Sequence, residues 1–153
     1  YQGRFEGTSI GDKEAVYRAF SLTKSDKLKD KKFAILSGGE KQKIVIARAV
    51  AQTTPWMLLD EPIASLDIKN QIEIMQTLSE LNRQEGVSVL MVLHDINLAG
   101  IYCDRLIMLK DGQVIAAGNT NECLCEENLK KLYDISFFHM DTKKGQRYYY
   151  AEI

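Results

Sequence analysis

The sequence predicts an α/β protein with a parallel sheet flanked by helices. Two apolar runs, Trp56-Met57-Leu58-Leu59 and Val87 to Leu93, have the composition of parallel strands buried on both faces. Each run stops abruptly at polar chemistry, the first at Asp60-Glu61-Pro62 and the second at His94-Asp95. Beyond them, Lys110-Asp111-Gly112 between two apolar stretches is a strong hairpin signal. A core strand that ends in adjacent carboxylates is unusual. In open parallel sheets the carboxyl ends of strands are where ligands bind.

The composition bounds the possibilities. With 153 residues, 45% hydrophobic and 27% charged, the chain has room for one domain with a real core. A net charge of −1 and the lack of a long basic run argue against nucleic acid as the main partner. No apolar run approaches the roughly 18 residues that span a bilayer. The start, Tyr1-Gln2-Gly3-Arg4, has no signal-peptide character. It also lacks a methionine, which points to a chain cut from something longer. Three cysteines, at 103, 123 and 125, are an odd number without secretory features, so they read as small packed residues in a reducing compartment.

Residues 1 to 11 read as a loop, and Ser9 with Asp12 as a weak capping box. Ala15, Val16, Ala19 and Phe20 then recur at helical spacing through about Leu22. Residues 23 to 35 are a charged connection. Leu36-Ser37-Gly38-Gly39-Glu40 opens the next helix, with Ser37 and Glu40 at the spacing of a capping box. Its glycines leave the backbone open to close approach, and its bare N–H groups and dipole suit a phosphate. Ile44, Ala47 and Ala51 form the apolar face of this helix, and Pro55 marks the break after it.

After the first strand, Asp67 is the expected N-cap of a long helix. Its apolar stripe is Ile68, Ile72, Met75, Leu78 and Leu81, and Gly86 is its C-terminal cap. A short helix follows from about Ile96 to Tyr102. Hairpin strands are expected at 105–109 and 113–117, a helix at 121–134, and a last hairpin at 137–140 and 147–151 around Lys143-Lys144-Gly145. The half-exposed strand reading covers Tyr148, Tyr149 and Tyr150.

Taken singly, the glycine turn, the acidic pair and the histidine are ordinary. Their joint occurrence at strand ends and a helix start fits metal-assisted phosphoryl transfer. Asp60 would hold Mg²⁺ through water, since Mg²⁺ keeps several waters and takes few carboxylates. Glu61 would orient and polarise the attacking water, and His94 would reach the γ-phosphate.

With these residues in place, the chain resembles the ATPase subunits of ATP-binding-cassette (ABC) transporters over nearly its whole length. Leu36 to Glu40 matches the family's signature motif, Trp56 to Glu61 its Walker B strand and catalytic glutamate, Ser65-Leu66-Asp67 its D-loop, and His94 its switch histidine. The resemblance implies a P-loop NTPase (RecA-like) sheet, with residues 1–36 in the helical subdomain and 37–153 in the C-terminal part of the ATPase core. It implies that Ser37, Gly38, Gly39 and Glu40 bind the ATP of the opposite subunit in a head-to-tail dimer. By the same resemblance, Ser65 and Asp67 line the dimer interface. The implied partners are a second ATPase subunit, transmembrane permease subunits and, indirectly, a substrate-binding protein, at the cytoplasmic face of the membrane. The segment from His94 to Gly118 is similar to importers of iron–siderophores, haem and cobalamin, with polar amino-acid importers as the alternative.

The departure is large. No G-x-x-x-x-G-K-[S/T] loop occurs in the sequence, and no glutamine loop is visible. The chain therefore reads as the C-terminal portion of such a subunit, expected not to hydrolyse ATP alone and to expose apolar faces of an unfinished sheet. DNA-repair and ribosome-acting members of the superfamily fit less well, since no heptad run precedes residue 36 and no basic extension occurs. A degenerate cassette that only binds a partner is the rival from another class.

Overall fold

The computed structural model describes residues 10–143 and 145–152. Residues 1–9, Ser9 of the weak capping box among them, and Lys144 lie outside the described residues, while Ile10 and Gly11, expected in the opening loop, instead begin the first helix. The chain divides after Val92 into two compact units.

The first unit holds α1 (Ile10–Leu22), α2 (Gly38–Val50), β1 (Trp56–Leu59), α3 (Ile68–Glu85) and β2 (Ser88–Met91). Two single 3₁₀ turns, Asp26–Leu28 and Phe33–Ile35, carry the chain from α1 to α2. β1 and β2 pair in parallel with Leu58 opposite Leu90, and Val92 N–H donates to the Leu59 carbonyl at 3.0 Å to extend the ladder. The core is Ile46 and Ala47 of α2, Met57 and Leu59 of β1, and Ile74, Met75, Leu78 and Leu81 of α3. Burying a side chain such as Ile46 or Ile74 fully contributes about 1.5–3 kcal/mol. At the far end of α3, Lys24 pairs with Glu80 at 2.8 Å and Arg18 with Glu85, fastening the segment around α1 to this helix.

The second unit holds α4 (Ile96–Tyr102), β3 (Arg105–Lys110), β4 (Gln113–Asn119), α5 (Thr120–Cys123), α6 (Glu126–Tyr133), β5 (Phe137–Asp141) and β6 (Arg147–Ala151). β3–β4 and β5–β6 are antiparallel hairpins. The β3–β4 turn places both Asp111 and Gly112 at positive φ, 50° and 75°, the backbone that a two-residue hairpin turn demands. Met108, Cys123, Leu124, Leu129 and Tyr149 form the core of this unit.

Several expectations need correction. β1 is not buried on both faces: Trp56 is 61% and Leu58 72% exposed, while Met57 and Leu59 are buried. In a parallel pair, partners share a face, so Trp56, Leu58, Leu90 and Val92 make one bare apolar side, with nothing among the described residues packed over it. The buried face of α2 centres on Ile46 and Ala47 rather than on Ile44 and Ala51. The buried stripe of α3 starts only at Ile74, with Ile68 and Ile72 exposed, since the first turns of α3 meet α2 through Asn70 and Glu73 and not through these two side chains. The expected helix at 121–134 is broken in two, since Leu124 at ψ 86° leaves helical geometry. Among the described residues, no helix is long and apolar enough to cross a membrane.

Candidate functional site

The start of α2 is fixed locally. Ser37 Oγ accepts from Glu40 N–H at 3.3 Å, and a Glu40 carboxylate oxygen accepts from Ser37 N–H at 2.9 Å, so both halves of the capping box are present. The second carboxylate oxygen of Glu40 receives Lys31 Nζ at 3.0 Å. The Ser37 backbone donor first, and Lys31 after it, hold the Glu40 carboxyl below its ordinary value. Ser37 and Gly38 are exposed, while Gly39 is buried.

β1 delivers Asp60 and Glu61 to solvent at its carboxyl end. Glu61 has φ 44° and Ser65 has φ 61°, left-handed backbone that non-glycine residues adopt at a cost. Such conformations concentrate where a chain is held for function. Between them the turn is tied by Ala64 N–H to the Glu61 carbonyl at 3.1 Å, Leu66 N–H to the Ile63 carbonyl at 3.3 Å, and Gln71 Nε2 to the Ile63 carbonyl at 3.4 Å. Asp67 then caps α3 as expected, its Oδ1 accepting from Asn70 N–H at 2.8 Å. These Asn70 donors hold the Asp67 carboxyl below its ordinary value. Gly86 closes the same helix at φ 67°.

The structure brings the turns 37–40 and 65–67 together. Leu66 Cδ2 stands 3.5 Å from where a Cβ on Gly38 would be, and the Asn70 carboxamide packs on Gly39. One turn further along both helices, Lys43 Nζ meets Glu73 Oε2 at 2.7 Å. α2 and α3 therefore present their N-termini side by side. Sequence reasoning placed Leu66 in the D-loop match but missed Asn70; the only local signal was an asparagine three residues after an N-cap aspartate, which explains the cap and not the contact with Gly39.

His94 belongs to the second unit, exposed and two residues before α4. Asp95 Oδ1 accepts from Asn97 N–H at 2.8 Å and Leu98 N–H at 2.9 Å, fixing the helix that follows the histidine. In the same unit burial, and Asp104 after it, push the Cys103 thiol up, which suits a packed residue rather than a nucleophile.

The donor chemistry fits a Mg²⁺ that keeps its water. Asp60 is an exposed, hard carboxylate donor at a strand end, the kind of single oxygen ligand that a hydrated Mg²⁺ takes. A cleft of about 620 Å³ lies elsewhere in the first unit, where Thr53, Pro55 and Met57 at the start of β1 face Leu81 and Glu85. The turns 37–40 and 65–67 do not line it. They form an open surface instead.

Comparison with known proteins identifies what the chain as a whole is similar to. Residues 5–64 match the family model described as ABC transporter. The ferric enterobactin transport ATP-binding protein FepC of Escherichia coli K12 is 41% identical over 130 residues, covering 85% of this chain and 48% of FepC. An inward-facing ABC transporter assigned to the metal-chelate type superposes with a TM-score of 0.91, 26% identical, over 99% of this chain and 61% of that one. The dimeric post-hydrolysis cassette MJ0796, bound to ADP and Pi, is 35% identical with a TM-score of 0.62 over 78% of this chain and 51% of that one. The chain spans about half the length of the curated relatives it matches.

Proposed function

This chain belongs to the ATP-binding-cassette transporter family, and from that premise we propose that it is the signature-bearing part of an ATP-hydrolysing importer subunit. Residues 1–36 then belong to the helical subdomain and 37–153 to the C-terminal part of the ATPase core. The observation that carries the reading is the exposed surface formed by Ser37, Gly38 and the 65–67 turn, at the capped N-termini of two adjacent helices. Such a surface suits the γ-phosphate of an ATP held on a second subunit.

Ser37 Oγ and the first N–H groups of α2 bind that phosphate, and Glu40 keeps Ser37 in place through the capping box. Ser65 and Asp67 line the contact with the second subunit. At this subunit's own ATP, a different molecule from the one that Ser37 grips, Glu61 orients the attacking water and takes its proton, and His94 contacts the γ-phosphate. Asp60 would hold Mg²⁺, which when bound neutralises charge on the phosphates. The relatives' names favour a metal chelate such as an iron–siderophore as cargo. Transmembrane permease subunits would move that cargo, a substrate-binding protein would hand it to them, and this subunit would work at the cytoplasmic face of the membrane.

The test is a chimera in which this chain replaces the matching region of E. coli FepC. ATP turnover is expected, lost on Glu61→Gln and on Ser37→Arg, with the fold unchanged by circular dichroism. The 153 residues alone are expected to show no steady-state turnover. A folded chimera that turns over equally well with Ser37→Arg overturns the phosphate role; turnover by the isolated chain, abolished by Glu61→Gln, overturns the need for a second part.

A further inference from the structure

A side chain at Gly39 would have to displace the Asn70 carboxamide. A Cβ there would stand 2.2 Å from Asn70 Oδ1 and 2.5 Å from its Cγ, closer than real atoms approach. The space that the glycine leaves is filled from within the chain, by a carboxamide on the first turn of α3. That same carboxamide donates from Nδ2 to Asp67 Oδ2 at 2.8 Å, while the Asn70 backbone N–H donates to Asp67 Oδ1 at 2.8 Å. Asp67 is thus gripped at both oxygens by one residue, and that residue rests on the 37–40 turn.

We propose that Asn70 is a positioning residue that couples the Ser65–Asp67 turn to the Ser37–Glu40 turn, so that the two meet a phosphate-bearing subunit as one rigid surface. What the surface is for rests on the function proposed above. The coupling itself is a property of this chain without nucleotide. A displacement of Asp67 reaches Gly39 through two contacts, one hydrogen bond and one packed carboxamide. Leucine has nearly the shape of asparagine but donates nothing, so it separates filling the space from transmitting position.

The experiment follows the Gly39 backbone amide resonance of the 153-residue chain. Asp67→Ser keeps an oxygen that caps α3 but removes the acceptor for Asn70 Nδ2. In the parent chain this substitution is expected to move the Gly39 resonance; in an Asn70→Leu chain it is expected to leave it in place. An equal shift in the Asn70→Leu chain, or none in the parent, overturns the proposal. A stability cycle supplies a second reading. Gly39→Ala is expected to lower the unfolding midpoint, and Asn70→Ala to restore more of it in that background than it adds to the parent. Additive effects would refute the contact. Both readings are independent of ATP, so a coupled chain whose FepC chimera shows no turnover defeats the functional reading and not this one.

Discussion

Asn97 holds Tyr149 by both of its backbone groups. Its Oδ1 accepts from Tyr149 N–H at 2.7 Å, and its Nδ2 donates to the Tyr149 carbonyl at 3.0 Å. A side chain on α4 thus acts as a strand partner for β6, and the Tyr149 hydroxyl donates to the Leu124 carbonyl from the other side. Tyr149 is 3% exposed, so neither backbone group has easy recourse to water. Asn97→Ala leaves a buried donor and a buried acceptor unpaired and is expected to cost about 2–3 kcal/mol. Faster amide exchange confined to β6 and its neighbours in the second unit would show it. Unchanged exchange there means that packing alone holds the hairpin.

Lys43 and Glu73 join α2 to α3, and their pairing gives stability a pH dependence. The Lys43 ammonium, with Lys69 adding to it, holds the Glu73 carboxyl below its ordinary value of 4.5. A carboxyl depressed in the folded state binds its proton more readily in the unfolded one. Its stabilisation is therefore complete above about pH 4.5 and is lost as pH falls through the folded value. Lys43→Met keeps the packed stem and is expected to cost about 0.5–1 kcal/mol at pH 7, the modest worth of a partly exposed pair. The gap between the parent and Lys43→Met should narrow in denaturant melts as pH falls below 4.5. A gap of constant size across that range would assign the loss to packing.

The bare side of β1 and β2 should make the chain associate. Leu58 is 72%, Leu90 52% and Val92 50% exposed on one face, beside Trp56. Contiguous apolar surface of this kind favours association. Leu58→Lys is expected to shift sedimentation toward the monomer while changing the unfolding free energy by about 0.5 kcal/mol or less. If the variant associates as strongly as the parent, another surface is responsible.

Much of this was legible in the sequence, for a local reason. Ser37 with Glu40, Asp67 at the head of α3 and Gly86 at its end are signals completed within three or four residues, and each forms the cap its spacing predicts. The Asp111-Gly112 turn is local in the same sense. What the sequence misjudged was burial. Ile68 and Ile72 have the right period yet are exposed, and Trp56 and Leu58 are apolar yet uncovered, because a pattern states which face could be buried and not whether anything lies against it.

By itself, then, the sequence determined the order of helices and strands, the caps, and the placement of Asp60, Glu61 and His94 at or just beyond strand ends. Only the tertiary structure decided what Gly39 is for. Its missing side chain first reads as room for a phosphate; the fold fills that room with Asn70 and leaves Gly38 and Ser37 at the surface. Likewise, Glu61 and Ser65 carry left-handed backbone that no residue type announced. The physical reason is the same in each case. Capping and strand formation are settled by neighbours along the chain, whereas a contact across 31 residues and a strained turn exist only once α2, β1 and α3 have packed.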